Sequence, residues 1–189
     1  DELENISSIL DNNGDLFLGD DATETNFKNY NYENTNLLFF ATHGLISGEL
    51  KGLNEPGLVF TPPDQVTTVD DGILTASEIL DFNFPTLDLV VLSACNTSSG
   101  TIENPEELSG LTRSFFYSGA NSILVSHWPV VSDSAVKLTT KMIQYMKSNE
   151  LSHGMALQRS MIDFINNVDE DYEAHPIFWA PFMLIGENR

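Results

Sequence analysis

The sequence predicts an α/β fold in which a central, mostly parallel sheet lies between helices. Three observations lead there. Four runs are continuously apolar rather than alternating, as strands covered on both faces must be: LLFFAT at 37–42, LDLVVLSA at 87–94, SILVS at 122–126 and FMLI at 182–185. Segments of helical spacing lie between them, which makes βαβ units. The 189 residues are 41% hydrophobic and include 12 Phe, enough for one domain with a sizeable core.

Each element has a local reason. Thr75-x-x-Glu78 is a capping box before a short helix. Asn104-Pro105-Glu106-Glu107 is a second helix start, followed at helical spacing by Leu108, Leu111, Phe115 and Phe116, with Gly119 able to close the helix. Ser132 or Asp133 can cap a third helix whose stripe is Ala135, Leu138, Met142 and Met146. A fourth carries Leu157, Met161, Phe164, Ile165 and Val168. The Gly-, Pro- and Thr-rich stretch 47–71 reads as a long excursion with a short strand at 58–60.

Charge excludes several functions. Eight Lys and Arg against 28 Asp and Glu give a net charge of −20, which repels phosphate backbones and anionic lipid headgroups. Neither nucleic acid nor a membrane is an expected partner. No apolar run reaches the ~18 residues of a membrane span, and the first ten residues lack the pattern of a signal peptide. A single Cys excludes an internal disulfide and fits a reducing, cytoplasmic setting. Asp11, Asn13 and Asp15 sit at calcium-loop positions, but Leu16 and Ala22 stand where the required Gly and bidentate Glu would be. His153 and His175 read as surface or loop residues, and the Phe-rich segments read as core.

In open α/β sheets, ligands bind beyond the carboxyl ends of the strands. The first strand delivers Ala41-Thr42-His43-Gly44, the second Ser93-Ala94-Cys95-Asn96, the third Ser126-His127-Trp128-Pro129. The only Cys and two of the four His therefore converge on one edge. A thiol and an imidazole there are the makings of a nucleophile and its acid/base partner. Gly44 leaves a backbone N–H unshielded beside the base, where it can meet a developing oxyanion. A lone Cys after an apolar run is more often a small buried hydrophobe, so spacing alone leaves both readings open.

Further blocks narrow the choice. They are Leu18-Gly19 with Ala22-Thr23, FFATHG at 39–44, GILTASEIL at 72–80, LVVLSACNTSSG at 89–100, LSGLTRSFFYSGANSILVSHWPV at 108–130 and HPIFWAPFMLIGE at 175–187. In this order they resemble the CHAT domain, a caspase-like family related to separase and placed among the cysteine peptidases. The resemblance implies a caspase-like three-layer sandwich around the mostly parallel sheet. It implies one CHAT peptidase domain over residues 1–189, truncated or processed at its N-terminal side, with an upstream helical-repeat or sensor region or a separate chain as partner. His43 matches the acid/base and Cys95 the nucleophile. The amides of Gly44 and Cys95 match the oxyanion hole. Ser93 matches a residue lining the pocket for P1, the substrate residue before the scissile bond. His127, Trp128 and Asp133 belong to the other pocket-forming segment, where His127 replaces the family's usual Leu and either reaches the site or lines the pocket.

The expected function is a cysteine endopeptidase with a His–Cys dyad, acting on a protein substrate without cofactor or metal and gated by an upstream region, a partner or processing. A catalytically silent interaction or signalling module is the other reading. Asp133 and the acidic surface favour Arg or Lys over Asp at P1, unless Asp133 only caps its helix.

Overall fold

The first three apolar runs form parallel neighbours, and the fourth closes the sheet antiparallel to the third. A computed structural model describes residues 2–93, 106–128, 130–149 and 151–187. In chain order the elements are α1 (Glu2–Ile9), a 3-10 turn (Gly19–Asp21), α2 (Glu24–Asn29), β1 (Leu37–Phe40), β2 (Gly44–Leu45), β3 (Gly57–Val59), β4 (Ile73–Thr75), α3 (Ala76–Ile79) and β5 (Leu89–Leu92). Then come α4 (Glu106–Tyr117), β6 (Ser122–Ser126), α5 (Ser132–Asn149), α6 (His153–Asn166), a 3-10 turn (Asp171–Ala174), α7 (Pro176–Trp179) and β7 (Phe182–Gly186). The main sheet runs β1-β5-β6-β7, and a second, antiparallel sheet runs β2-β3-β4. The fold is mixed α/β with a mostly parallel central sheet, as the apolar runs predict.

Residue alternation divides the main sheet into two packed faces. Val90, Leu92, Ile123 and Val125 point into a core with α3, α4 and the second sheet, built from Leu58, Leu74, Ile79, Leu111 and Phe115. Leu89, Val91 and Leu124 point the other way, onto Leu138 and Met142 of α5 and Ala156 and Phe164 of α6. All four residues of β5 are buried, which explains why its sequence is continuously apolar.

The first face is aromatic. Phe40 packs against Phe27 and Phe115, each with ring centroids 5.7 Å away, and Tyr32 meets Phe84 edge-on at 4.9 Å. The Phe-rich segments are core, as read.

The cap of α3 and the turn after α4 follow the expected chemistry, whereas Ser132 and Asp133 lie within the first turn of α5 instead of before it. Glu78 accepts from the Thr75 backbone N–H at 2.9 Å, completing the capping box of α3. Gly119 follows α4 with φ +115°, and a Cβ there would lie 2.5 Å from the carbonyl oxygen of Phe84. Asn104 and Pro105, the expected start of α4, lie outside the described residues, as does the side chain of Leu108.

The structure corrects several boundaries. β1 and β5 are shorter than their apolar runs, β6 coincides with its run, β7 extends one residue further to Gly186, and β3 begins at Gly57 rather than Leu58. β2, β4, α1 and α2 have no strong sequence pattern, being short or polar, and form because long-range partners capture them. The excursion between β2 and β4 is tied down by acids. Asp70 is buried and accepts from the Thr25 N–H at 3.1 Å and the Gly72 N–H at 3.2 Å. Glu24, also buried, accepts from the Asp71 and Gly72 N–H groups at 2.9 and 3.0 Å. His153 is buried, not a surface residue, with Nδ1 3.0 Å from the Ser122 hydroxyl.

Gly119→Ala should destabilise the chain by more than about 2 kcal/mol, since it adds a backbone overlap to the strain of a positive φ. Gly48→Ala, at φ +80° with nothing within 4 Å of the added carbon, should lose less. Urea denaturation of the two variants side by side checks the order.

Candidate active site

β1 and β5 pair in parallel with Phe40 opposite Leu92, and the Ser93 N–H donates to the Phe40 carbonyl at 2.9 Å. The two chains thus leave the sheet side by side at their carboxyl ends. His43 stands three residues beyond Phe40, and Cys95 three beyond Leu92. Cys95 itself lies outside the described residues, as does the whole of 94–105.

His43 sits in the short link from β1 to β2 with an exposed side chain. Its backbone is held on both sides by β3. The Val59 N–H donates to the His43 carbonyl at 2.8 Å, and the Thr42 hydroxyl donates to the Val59 carbonyl. Gly44 is buried and opposite Leu58 in the second sheet. The small sheet therefore fixes the main chain at the His43-Gly44 pair and leaves the imidazole free to face solvent.

Ser93 is buried on the face of the sheet that packs against α5, in alternation with Val91. Its hydroxyl lies 3.0 and 3.2 Å from the two carboxylate oxygens of Glu2. The Thr139 hydroxyl of α5 donates to the same carboxylate at 2.6 Å. Burial pushes the Glu2 carboxyl above its ordinary value, and the Thr139 and Ser93 hydroxyls pull it part of the way back. Sequence reasoning missed Glu2. The signal was there in part: Glu2 stands four residues before buried Ile6, on the inward stripe of α1.

The third strand end is arranged differently. The His127 N–H donates to the Pro181 carbonyl at 2.8 Å, and its Nε2 lies 3.3 Å from the Met183 sulfur. This turns His127 toward β7, on the side of β6 away from β5. The Trp128 indole donates to the Ile177 carbonyl of α7 at 3.0 Å. Asp133 is exposed in the first turn of α5. The structure brings the His43 link and Ser93 together at neighbouring strand ends. The described contacts of His127 and Trp128 go instead to β7 and α7.

Among the described residues no group of three or more His, Cys, Asp or Glu is placed to hold a metal ion. Asp15 accepts from the Tyr30 hydroxyl at 2.6 Å, and Asp11 pairs with Lys147 at 2.6 Å.

The CHAT domain matches this chain over residues 1–187. The chain belongs to the CHAT family. This CHAT chain is 32% identical over 117 residues, 61% of its length, to human tetratricopeptide repeat protein 28. It is 28% identical over 163 residues, 78% of its length, to the mouse protein of the same name. It spans only 4% and 6% of those two proteins.

The raised carboxyl of Glu2 fixes the sign of a pH effect. A group whose native pKa lies above its unfolded value stabilises the fold below the unfolded value and loses that contribution as pH rises through the native one. The stability of the wild type relative to Glu2→Gln should therefore be greater near pH 4 than at pH 7. Denaturant titrations at the two pH values check this, and the opposite slope would contradict the assignment.

Proposed function

We propose that this CHAT domain is a cysteine endopeptidase using His43 and Cys95. The observation that carries the reading is the β1–β5 register, with the two residues equally far beyond a directly paired couple. Parallel neighbours stand about 4.8 Å apart, so loops leaving them at the same level begin within reach of one substrate carbonyl. The Cys95 thiolate attacks that carbonyl, forming a tetrahedral oxyanion that the amides of Gly44 and Cys95 stabilise. Collapse to a thioester breaks the peptide bond, and His43 gives its proton to the departing amine. His43 then takes a proton from water, which attacks the thioester and releases the second product and the thiol.

The chemistry asks for no cofactor. A thiolate nucleophile suits a reducing compartment, so we assign the protein to the cytoplasm. No described helix is long and apolar enough to cross a membrane. The relatives are named for tetratricopeptide repeats. We therefore propose that a helical-repeat region, in the same chain or a partner, gates the domain. Residues 1–189 form a single peptidase domain in this reading.

The test is cleavage of a protein or peptide substrate, with labelling by a thiol-reactive peptide probe. Cys95→Ala and His43→Ala should each abolish turnover, and the double variant should lose no more than either single one. His127→Leu should keep most of the activity, because that side chain is turned to β7. Near-normal turnover in His43→Ala would remove the dyad. Absence of both labelling and cleavage with the gate engaged would favour the silent interaction module.

A further inference from the structure

Glu24, in the first turn of α2, is the most deeply buried acid among the described residues, 1% exposed. One of its oxygens pairs with Lys28, and the other accepts from the Asp71 and Gly72 N–H groups at 2.9 and 3.0 Å. Lys28 donates in turn to Glu78 and to the Val69 carbonyl, each at 2.6 Å. Asp70 approaches the same Gly72 N–H at 3.2 Å while accepting from the Thr25 N–H at 3.1 Å. Two buried carboxylates therefore converge on the peptide at Gly72.

Gly72 is where the long connection between β3 and β4 closes. Its carbonyl accepts from the Phe60 N–H at 2.8 Å, one step beyond the Val59–Ile73 pair that ends the ladder. The residue before Phe60 is Val59, whose N–H donates to the His43 carbonyl at 2.8 Å and whose carbonyl accepts from the Thr42 hydroxyl. Three hydrogen bonds through described residues thus lead from the Glu24 carboxylate to the main chain of His43.

Apolar packing does not place this connection. Its Val66 and Val69 are 71% and 64% exposed. The strands it joins to the His43 link are also short: β2 has two residues, and β3 and β4 have three each. Strands of that length are marginal by themselves and need their ends held. A charge kept in the interior costs stability that an apolar residue of the same size does not. What the carboxylate adds is geometry, because it fixes the direction of the N–H groups it binds as well as their distance.

We infer that Glu24, with Lys28 behind it, is a positioning residue for His43: Glu24 orients Gly72, Gly72 orients the end of β3, and β3 sets the His43 link. The inference rests on the peptidase reading for its effect on turnover, while the placement of His43 is measured without it. Glutamine at position 24 has the same size but must turn its NH2 group either toward Lys28 or toward the two N–H groups. It therefore cannot keep both sets of contacts.

The experiment compares the full wild-type chain with Glu24→Gln. Native-state hydrogen exchange, followed by NMR, is read at the Val59 and Phe60 amides and, as a reference in the main sheet, at Leu124 of β6. Val59 and Phe60 should exchange about tenfold faster in the variant, with a smaller rise at Leu124. The imidazole resonances of His43 should move while those of buried His153 stay in place. On a peptide substrate, kcat should fall about tenfold with KM near its wild-type value. Equal acceleration at all three amides overturns the inference, since Glu24 would then be only a staple of global stability. Unmoved His43 resonances overturn it too, as does an unchanged kcat in an active enzyme. If the wild type cleaves nothing, the peptidase reading fails, and the exchange and imidazole readings still decide the placement of His43. Should Glu24→Gln not fold, Asp70→Asn takes one oxygen from the second acceptor of the Gly72 N–H and is measured in the same way, with the same expected signs.

Discussion

Parallel pairing of β1 with β5 is the constraint from which the rest of the molecule follows. Two parallel strands cannot be joined by a tight hairpin, so the chain must cross over between them. Here the crossover holds the second sheet and α3, which cover one face of the main sheet. The β5–α4–β6 unit repeats the solution, and α5 and α6 cover the opposite face. Parallel strands also point their carboxyl ends the same way. The chain therefore leaves the sheet side by side after Phe40 and after Leu92 as a consequence of the pairing.

A site at strand ends needs a rigid base, and the two faces supply it in different ways. On one side, Phe40 is wedged among Phe27, Phe60 and Phe115 just before the chain reaches His43. Interlocked rings with few rotamers leave β1 little freedom, so the backbone leading to His43 is set by packing. The Thr42 and Val59 contacts then carry that order past the end of the strand. On the other side, the base is polar. Ser93, Glu2 and Thr139 tie β5 to α1 and α5, three elements far apart in sequence.

Two of the acidic anchors, Glu24 and Glu2, differ for electrostatic reasons. Glu24 lies beside Lys28, which also reaches Glu78 at 2.6 Å and joins α2 to α3. Attraction between unlike charges there offsets much of the cost of burial. Glu2 is only half-buried, and its described donors are the neutral hydroxyls of Ser93 and Thr139.

What the sequence determined by itself was local. Continuous apolar runs can be satisfied only by two-sided burial, so LVVL and SILVS could be read as central strands. The Thr75–Glu78 box and Gly119 carry their own short-range chemistry, and both act as read. The placement of His43 just beyond a strand end followed from these. Tertiary structure decided what depends on distant partners. Gly44-Leu45 is too short to read as a strand and becomes one because Leu58 lies opposite. His153, polar and near a helix start, is buried because Ser122 receives it. Glu2 reaches Ser93 across 91 positions, and no pattern of period 2 or 3.6 records a contact of that span. Periodicity tells which face of an element turns inward; only the packed chain decides what that face meets.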